Sequence, residues 1–353
     1  MNIDTKTFSI ILLFLSVVFS VFLLEALLRV TGHTPWAPIE LDSNEPTMHE
    51  PDPVLGWKNK EGKYVVPAYD SSGQDIHMTF IAHGQRRTRA QETASNKEFV
   101  IVGGSFTQGW AIDDNETYAW KLQIQYPSFN VLNYGTGGYG SYQSLLVLEK
   151  ELPRLTSPVI VLYGFIQHHE DRNVAPYGWL NQLSQLSRRG HVFLPYGTLE
   201  EDKRLVRHSP EGYLVLPLRE SLATVALIEK AYMSIKTKHR HSQKILVTEQ
   251  VLLEMKKITE QYGATFVPVL LQVDREAKRH YKNFFQTHNI RNIDCEFPLT
   301  PELKVPGDGH PNGKMNSLWV ECIASALGDQ REIKKWSNQG MQPTRHRSAD
   351  AVR

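Results

Sequence analysis

The chain has 353 residues, enough to bury one substantial α/β core and leave further segments outside it. Lysine and arginine total 39 against 38 for aspartate and glutamate, a net charge of +1, so nothing points to nucleic acid or an acidic polymer as an obligatory partner. The two cysteines, Cys295 and Cys322, form no CxxC pair and no metal-ligand spacing; buried free thiols fit, and so does one disulfide if the domain is extracytoplasmic.

Phe8 to Leu24 carries no charge and is rich in Leu, Val, Ile and Phe, and the apolar segment reaches Leu28 across Glu25. About 20 such residues span a bilayer, and no small-x-small cleavage site follows. Residues 1–29 are therefore expected to be a retained single-pass membrane anchor. With only six residues before the span, the body is expected outside the cytoplasm, which in a bacterium means the periplasm. Residues 30–97 read as a loop-rich lead-in spaced by prolines, with short strands at Lys63–Val66 and His77–Ile81 that suit a small hairpin. Arg86, Arg87 and Arg89 form a local basic cluster, expected to be a solvated surface or else a contact with lipid headgroups or an anionic glycan.

From residue 98 strands alternate with helices: strand 98–103, helix 116–125, strand 129–134, helix 141–152, strand 158–165. This alternation argues for a parallel sheet with crossover helices. The rhythm breaks over 174–218, which reads as an insertion or lid, and resumes with helices at 219–236 and 247–262, a strand at 264–271, a helix at 274–288, a strand at 290–295 and a last helix at 312–327. The basic stretch Lys236–Lys244 reads as a solvated turn. The tail 328–353 is polar and aperiodic and is expected to be disordered.

The most informative stretch is Glu98-Phe-Val-Ile-Val-Gly-Gly-Ser-Phe-Thr-Gln-Gly109. A buried strand leads through two glycines into Ser105, which places that serine at the carboxyl edge of the sheet, where open α/β folds bind ligands. A serine hydroxyl needs a base, and Pro306-Gly-Asp-Gly-His-Pro-Asn-Gly313 offers one: His310, with Asp308 two residues earlier to fix its tautomer. The G-x-S-x-G elbow of an α/β-hydrolase is absent, since Thr107 stands where its last glycine would be. His168-His-Glu-Asp171 holds metal-ligand residue types, but neighbours at a strand end point opposite ways; structural hydrogen bonding, with one side chain near the site, is the better reading. No metal and no cofactor are expected.

These segments together resemble the SGNH (GDSL-type) hydrolase superfamily over roughly residues 98–327. Gly104-Ser105 stands at the Gly-Asp-Ser block, with Gly104 in place of the usual Asp. Asn133-Tyr-Gly-Thr-Gly-Gly-Tyr-Gly140 is similar to the second block, which makes Gly138 the oxyanion glycine. Asp308 and His310 match the last block, although many members place the Asp three residues before the His. The third block departs: after strand 158–165 the chain reads Phe165-Ile-Gln-His-His-Glu-Asp-Arg-Asn173, with no Asn directly after the strand, which leaves Gln167 or Asn173 as the donor. The resemblance implies a three-layer flavodoxin-like sandwich with a parallel central sheet. It also implies a serine esterase that works through an acyl-serine, with O-acetyl esters of a cell-envelope glycan or lipid as the expected substrates. An O-acyltransferase on a polysaccharide and a non-catalytic glycan-binding module are the alternatives.

Overall fold

A computed structural model of the chain describes residues 5–39, 46–69, 73–90, 95–187, 192–329 and 333. The helices are α1 Thr5–Val30, α2 Ser105–Gln108, α3 Tyr118–Gln125, α4 Ser141–Glu151, α5 His169–Val174, α6 Tyr177–Leu186, α7 Ala223–Ser242, α8 Lys244–Gln261, α9 Arg275–Thr287 and α10 Gly313–Leu327. The strands are β1 His49–Asp52, β2 Gly56–Asn59, β3 Gly62–Val66, β4 Ile76–Ile81, β5 Gln85–Arg86, β6 Glu98–Gly103, β7 Asn130–Asn133, β8 Pro158–Ile166, β9 Phe193–Leu199, β10 Leu205–Gly212, β11 Thr265–Gln272 and β12 Ile293–Asp294. Two compact units result: residues 1–41, 175–194 and 211–242 form one, and 42–174, 195–210 and 243–353 the other.

The larger unit is built on a sheet of order β12-β11-β8-β6-β7-β5-β4-β3. Its five parallel strands, numbered along the chain, lie in the order 2-1-3-4-5, the flavodoxin-like arrangement. Strand periodicity sets the layers. Phe99 and Ile101 point to the face covered by α3 and α10, where Tyr118, Leu122, Met315, Trp319 and Ile323 are buried. Val100 and Val102 point to the opposite face, against Leu145 and Leu148 of α4, Val251 and Met255 of α8, and Tyr281 and Phe285 of α9. The fold is thus a three-layer α/β sandwich.

Several expectations change on folding. The expected β3–β4 hairpin forms, and it also joins the central sheet: β4 pairs with β5, and β5 pairs with β7 through Arg86 and Asn133, so the lead-in extends the parallel sheet with antiparallel strands. The basic cluster is not a solvated face. Arg86 is fully buried, its Nε 2.8 Å from Asp114 and its Nη2 2.8 Å from the Ile112 carbonyl, while Arg87 and Arg89 bond to local carbonyl and amide oxygens. Lys236–Lys244 forms the last turns of α7 and the start of α8 rather than a turn alone. Most of the tail expected to be disordered lies outside the described residues.

The smaller unit gathers around Arg219. Its guanidinium lies 3.7 Å from the ring centre of Trp36 and 5.7 Å from that of Tyr213, and it bonds Glu229 at 3.1 Å. Tyr213 Oη and the Leu216 N–H donate to the same Glu229 carboxylate, so this buried charge is paired and satisfied.

Cys295 and Cys322 form a disulfide, with Cα atoms 5.8 Å apart, tying the loop after β12 to α10. The bridge closes a segment of sequence separation 27, for which chain entropy gives a stabilisation of about 3 kcal/mol. Urea denaturation of the full chain with and without reductant is expected to differ by about that amount. A midpoint that reductant leaves in place would show that the bond adds nothing.

Candidate active site

Ser105, Gly138 and His169 each follow the carboxyl end of a parallel strand, β6, β7 and β8 respectively. Between β6 and β8 the strand order reverses direction, which is where such sheets open a crevice. Ser105 is the first residue of α2, a single turn that sequence periodicity does not reveal because it is too short to carry a repeat. The turn is held from the side. Asn133 Nδ2 donates to the Thr107 carbonyl at 2.8 Å, and Tyr118 Oη donates to Thr107 Oγ1 at 3.1 Å.

His310 Nε2 lies 3.0 Å from Ser105 Oγ, and His310 Nδ1 lies 2.7 Å from Asp308 Oδ1. The same Asp308 oxygen accepts the His310 backbone N–H at 2.9 Å, and Trp110 Nε1 donates to Oδ2 at 3.3 Å. Burial works against the Asp308 charge, but these bonds and the adjacent imidazole outweigh it and hold the carboxyl below its usual range. The His310 ring lies edge-on to Phe106, with centroids 5.8 Å apart, and is tilted against Trp110 at 6.3 Å. His49 stacks on the outer side of Trp110, and burial pushes its imidazole down to about 4.

The loop that carries Asp308 and His310 is pinned by Asn312. Its Nδ2 donates to the carbonyls of Glu302 and Lys304, and its Oδ1 accepts the Lys314 and Met315 N–H groups as the cap of α10. Val305 and His310 close the loop through a backbone bond of 2.7 Å. One asparagine thus fixes the histidine loop to the start of the last helix. Sequence reading placed Asn312 beside the helix start without assigning it this role.

The oxyanion expectations are corrected in part. Gln167 is not turned toward the serine: its side-chain amide donates to Asp274 Oδ2 at 2.9 Å and accepts the Asp274 N–H at 3.0 Å, supporting the cap of α9. Asn173 is fully buried and fully used, donating to Ser141 Oγ and Thr248 Oγ1 and accepting the Tyr142 N–H. Both amides serve helix termini, so neither is left to face a substrate. Gly138 has φ +81°, a left-handed conformation that suits glycine, and no hydrogen bond of its N–H is found among the described residues.

What stands beside Ser105 instead is His169. A Cβ on Gly104 would lie 2.8 Å from His169 Nε2, 3.0 Å from Arg172 Nη1 and 3.0 Å from the Tyr139 carbonyl. His169 is fully buried, its Nδ1 lies 2.6 Å from Tyr163 Oη, and its Nε2 has no hydrogen-bond partner among the described residues. Burial, with the positive charge of Arg172, holds this imidazole well below its usual range and therefore neutral. Arg172 Nη1 donates to the Tyr139 carbonyl at 3.0 Å. The His-His-Glu-Asp run divides between inside and outside: His168 is exposed, Glu170 accepts from Tyr281 Oη, and Asp171 pairs with Lys244. Trp110 and Arg172 had no signal in the sequence that set them apart from ordinary core or surface residues.

No family model matches this sequence, and no curated protein matches it. Among solved structures the chain is similar to a lipolytic protein of the G-D-S-L family from Veillonella parvula, at 13% identity and a TM-score of 0.38, over 65% of this chain and 97% of that one. It is also similar to a G-D-S-L family lipolytic protein from Desulfitobacterium hafniense, at 11% identity and a TM-score of 0.40, over 66% and 100%. A third is the SGNH-hydrolase family esterase AlinE4, at 12% identity and a TM-score of 0.33, over 67% and 97%.

Two outcomes test this geometry. Because the Asp308 carboxyl titrates lower folded than unfolded, it stabilises the fold at neutral pH, and that contribution is lost as the pH falls through the carboxylate range. Asp308→Asn is thus expected to be less stable than wild type at pH 7, with the gap closing below about pH 4 in denaturant titrations. Gly104→Ala must displace His169 or the Tyr139 carbonyl and is expected to cost about 1–3 kcal/mol in the same assay. An alanine variant of undiminished stability would mean that the close approach at Gly104 is relieved without cost.

Proposed function

We propose that this chain is a membrane-anchored serine esterase of the SGNH type, and the hydrogen-bonded series Ser105–His310–Asp308 is the observation that carries the reading. In the proposed reaction, Ser105 Oγ attacks the ester carbonyl as its proton passes to His310 Nε2. Asp308, with its charge maintained by His310 and Trp110, fixes the imidazole with Nδ1 protonated and stabilises the imidazolium. The imidazolium then protonates the leaving alcohol, and the acyl group stays on Ser105. Water, deprotonated by His310, attacks this acyl-serine; carboxylic acid leaves and the serine is restored.

The backbone N–H groups of Ser105 and Gly138 are the proposed oxyanion donors. With Gln167 and Asn173 committed elsewhere, the third polar contribution falls to His169. With Ser141 Oγ as the donor in its 2.6 Å bond to Tyr163 Oη, the tyrosine proton goes to Nδ1, and the neutral ring's single proton then sits on Nε2, the atom that faces Gly104. An imidazole and a guanidinium then replace the asparagine that the family resemblance implies. Arg172 adds a fixed positive charge beside the position where negative charge develops.

An ester of the cell envelope, with an O-acetylated glycan or lipid as the first choice, fits the two features that bear on location. The apolar helix α1 is long enough to span a bilayer, and both cysteines are joined in a disulfide, a bond that persists in oxidising compartments. Together they support a body on the periplasmic side of the membrane.

With the full chain in detergent and a short-chain chromogenic acetate ester, Ser105→Ala and His310→Ala are expected to abolish turnover while the fold is retained. A phosphonate probe should label Ser105 in wild type alone. His169→Ala is expected to lower kcat by about 100-fold with little change in KM, the loss typical of one oxyanion donor. Turnover undiminished in Ser105→Ala would remove the serine mechanism. Turnover undiminished in His169→Ala would remove only the third donor.

A further inference from the structure

The apolar helix α1 is interrupted by one acidic residue, and that residue is not idle. Glu25 accepts the Ala223 N–H at 2.9 Å, the Thr224 N–H at 2.9 Å and the Thr224 hydroxyl at 2.8 Å, so it caps the first turn of α7. Arg29 completes the joint, donating from Nε to Glu25 at 2.7 Å and from Nη2 to the Ser221 carbonyl at 2.7 Å. Only Glu25 and Leu28 of α1 are buried, so the joint is confined to the last turns of that helix. Thr5 to Leu24 is 20 residues, which at 1.5 Å per residue is about 30 Å, the thickness of a hydrocarbon core. With α1 read as the span, Glu25 lies at the hydrocarbon boundary, and α7 starts at that level.

The outer face of α7 is apolar where a solvated helix would be polar. Leu227 is 36% exposed, Ile228 56%, Tyr232 52% and Ile235 76%. Their spacing sets them, with the exposed Ala231, along one stripe of the helix. The buried side mixes Ala223 and Met233 with polar groups, Glu229 held by Arg219 and Thr237 bonded to the Met233 carbonyl. Exposed Lys230 and Lys238 border the stripe, and Leu218, 63% exposed and left-handed at φ +67°, stands just before the helix. Apolar residues on one face with lysines at its edges are the pattern of a helix that lies in a membrane interface. Tyrosine is enriched at that depth.

We propose that α7 is a second membrane contact, lying in the interface of the leaflet from which α1 emerges, with Leu227, Ile228, Tyr232 and Ile235 at the headgroup–acyl boundary and Lys230 and Lys238 toward anionic phospholipid headgroups. The occupant of the stripe is lipid because the stripe is continuous, through the Glu25–Arg29 joint, with a helix that itself spans lipid, and because its border is basic. A span alone leaves a body free to tilt about one helix. A second contact, fixed to the first by four hydrogen bonds, sets its orientation.

The inference rests on α1 as a span, so the test reads the two separately. The full chain is reconstituted into vesicles of phosphatidylcholine with phosphatidylglycerol, and alkaline carbonate washing reports on α1. Ile235→Trp then adds one indole to the stripe, and its emission is taken as the difference from the parent protein, with and without lipids brominated near the top of the acyl chain. The expected result is a blue-shifted added emission, largely lost in brominated lipid and less so when phosphatidylglycerol is left out. Carbonate resistance with an unquenched, water-like added emission would overturn the interfacial contact while leaving the span intact. Loss of the protein to the carbonate wash would overturn the span, and the proposal with it. A benzoylphenylalanine at Ile228 that cross-links to a second copy or another protein rather than to lipid would also overturn it.

Discussion

At the carboxyl edge of the sheet, where β6 and β8 part, the bare Cα of Gly104 lies against the His169 imidazole, the Arg172 guanidinium and the Tyr139 carbonyl. Packing of this density accepts no extra methyl group without displacement. The missing side chain lets α5 and the glycine-rich loop close on the turn that carries Ser105. Glycine before the serine and histidine at 169 are therefore one feature. A side chain at 104 and the imidazole at 169 compete for the same volume.

The second constraint joins the two ends of the larger unit. His310 reaches Ser105 because α10 packs through Trp319 on the same face of the sheet as α3, and Asn312 fixes the histidine loop to the start of α10. The disulfide between Cys295 and Cys322 ties the same helix to the loop after β12. Asn316 binds it to α3 by accepting the Tyr118 N–H at 2.9 Å. His310 is thus held by elements whose own positions are set by core burial. Preorganisation of this kind is what the proposed proton relay requires, since the relay gains nothing from groups that must first be brought together.

Polar groups in this chain are buried where they set direction rather than where they add stability. Arg86 with Asp114 fixes the antiparallel strands to the turn before α3, and Arg219 with Glu229 holds the loop before α7. A buried ion pair yields little net free energy once desolvation is counted, whereas breaking it leaves a charge stranded. Each of these pairs therefore penalises wrong arrangements more than it favours the right one.

By itself the sequence determined the strand and helix alternation from residue 98, the place of Ser105 after a buried strand, and the Asp308–His310 pair. Hydrophobic period and turn chemistry are local properties that a single chain displays. The strand Glu98–Gly103 and the helices 141–151 and 313–327 could be read almost to their ends for that reason. Only the tertiary structure decided the partners: that Arg86 is buried, that Gln167 and Asn173 serve helix ends, that Trp110 holds Asp308, that the β3–β4 hairpin joins the central sheet, and that His169 faces Gly104. Each of these joins residues far apart along the chain. No period or spacing records which of several amides, rings or guanidinium groups will be buried next to a given backbone atom, because that follows from how whole layers close on one another.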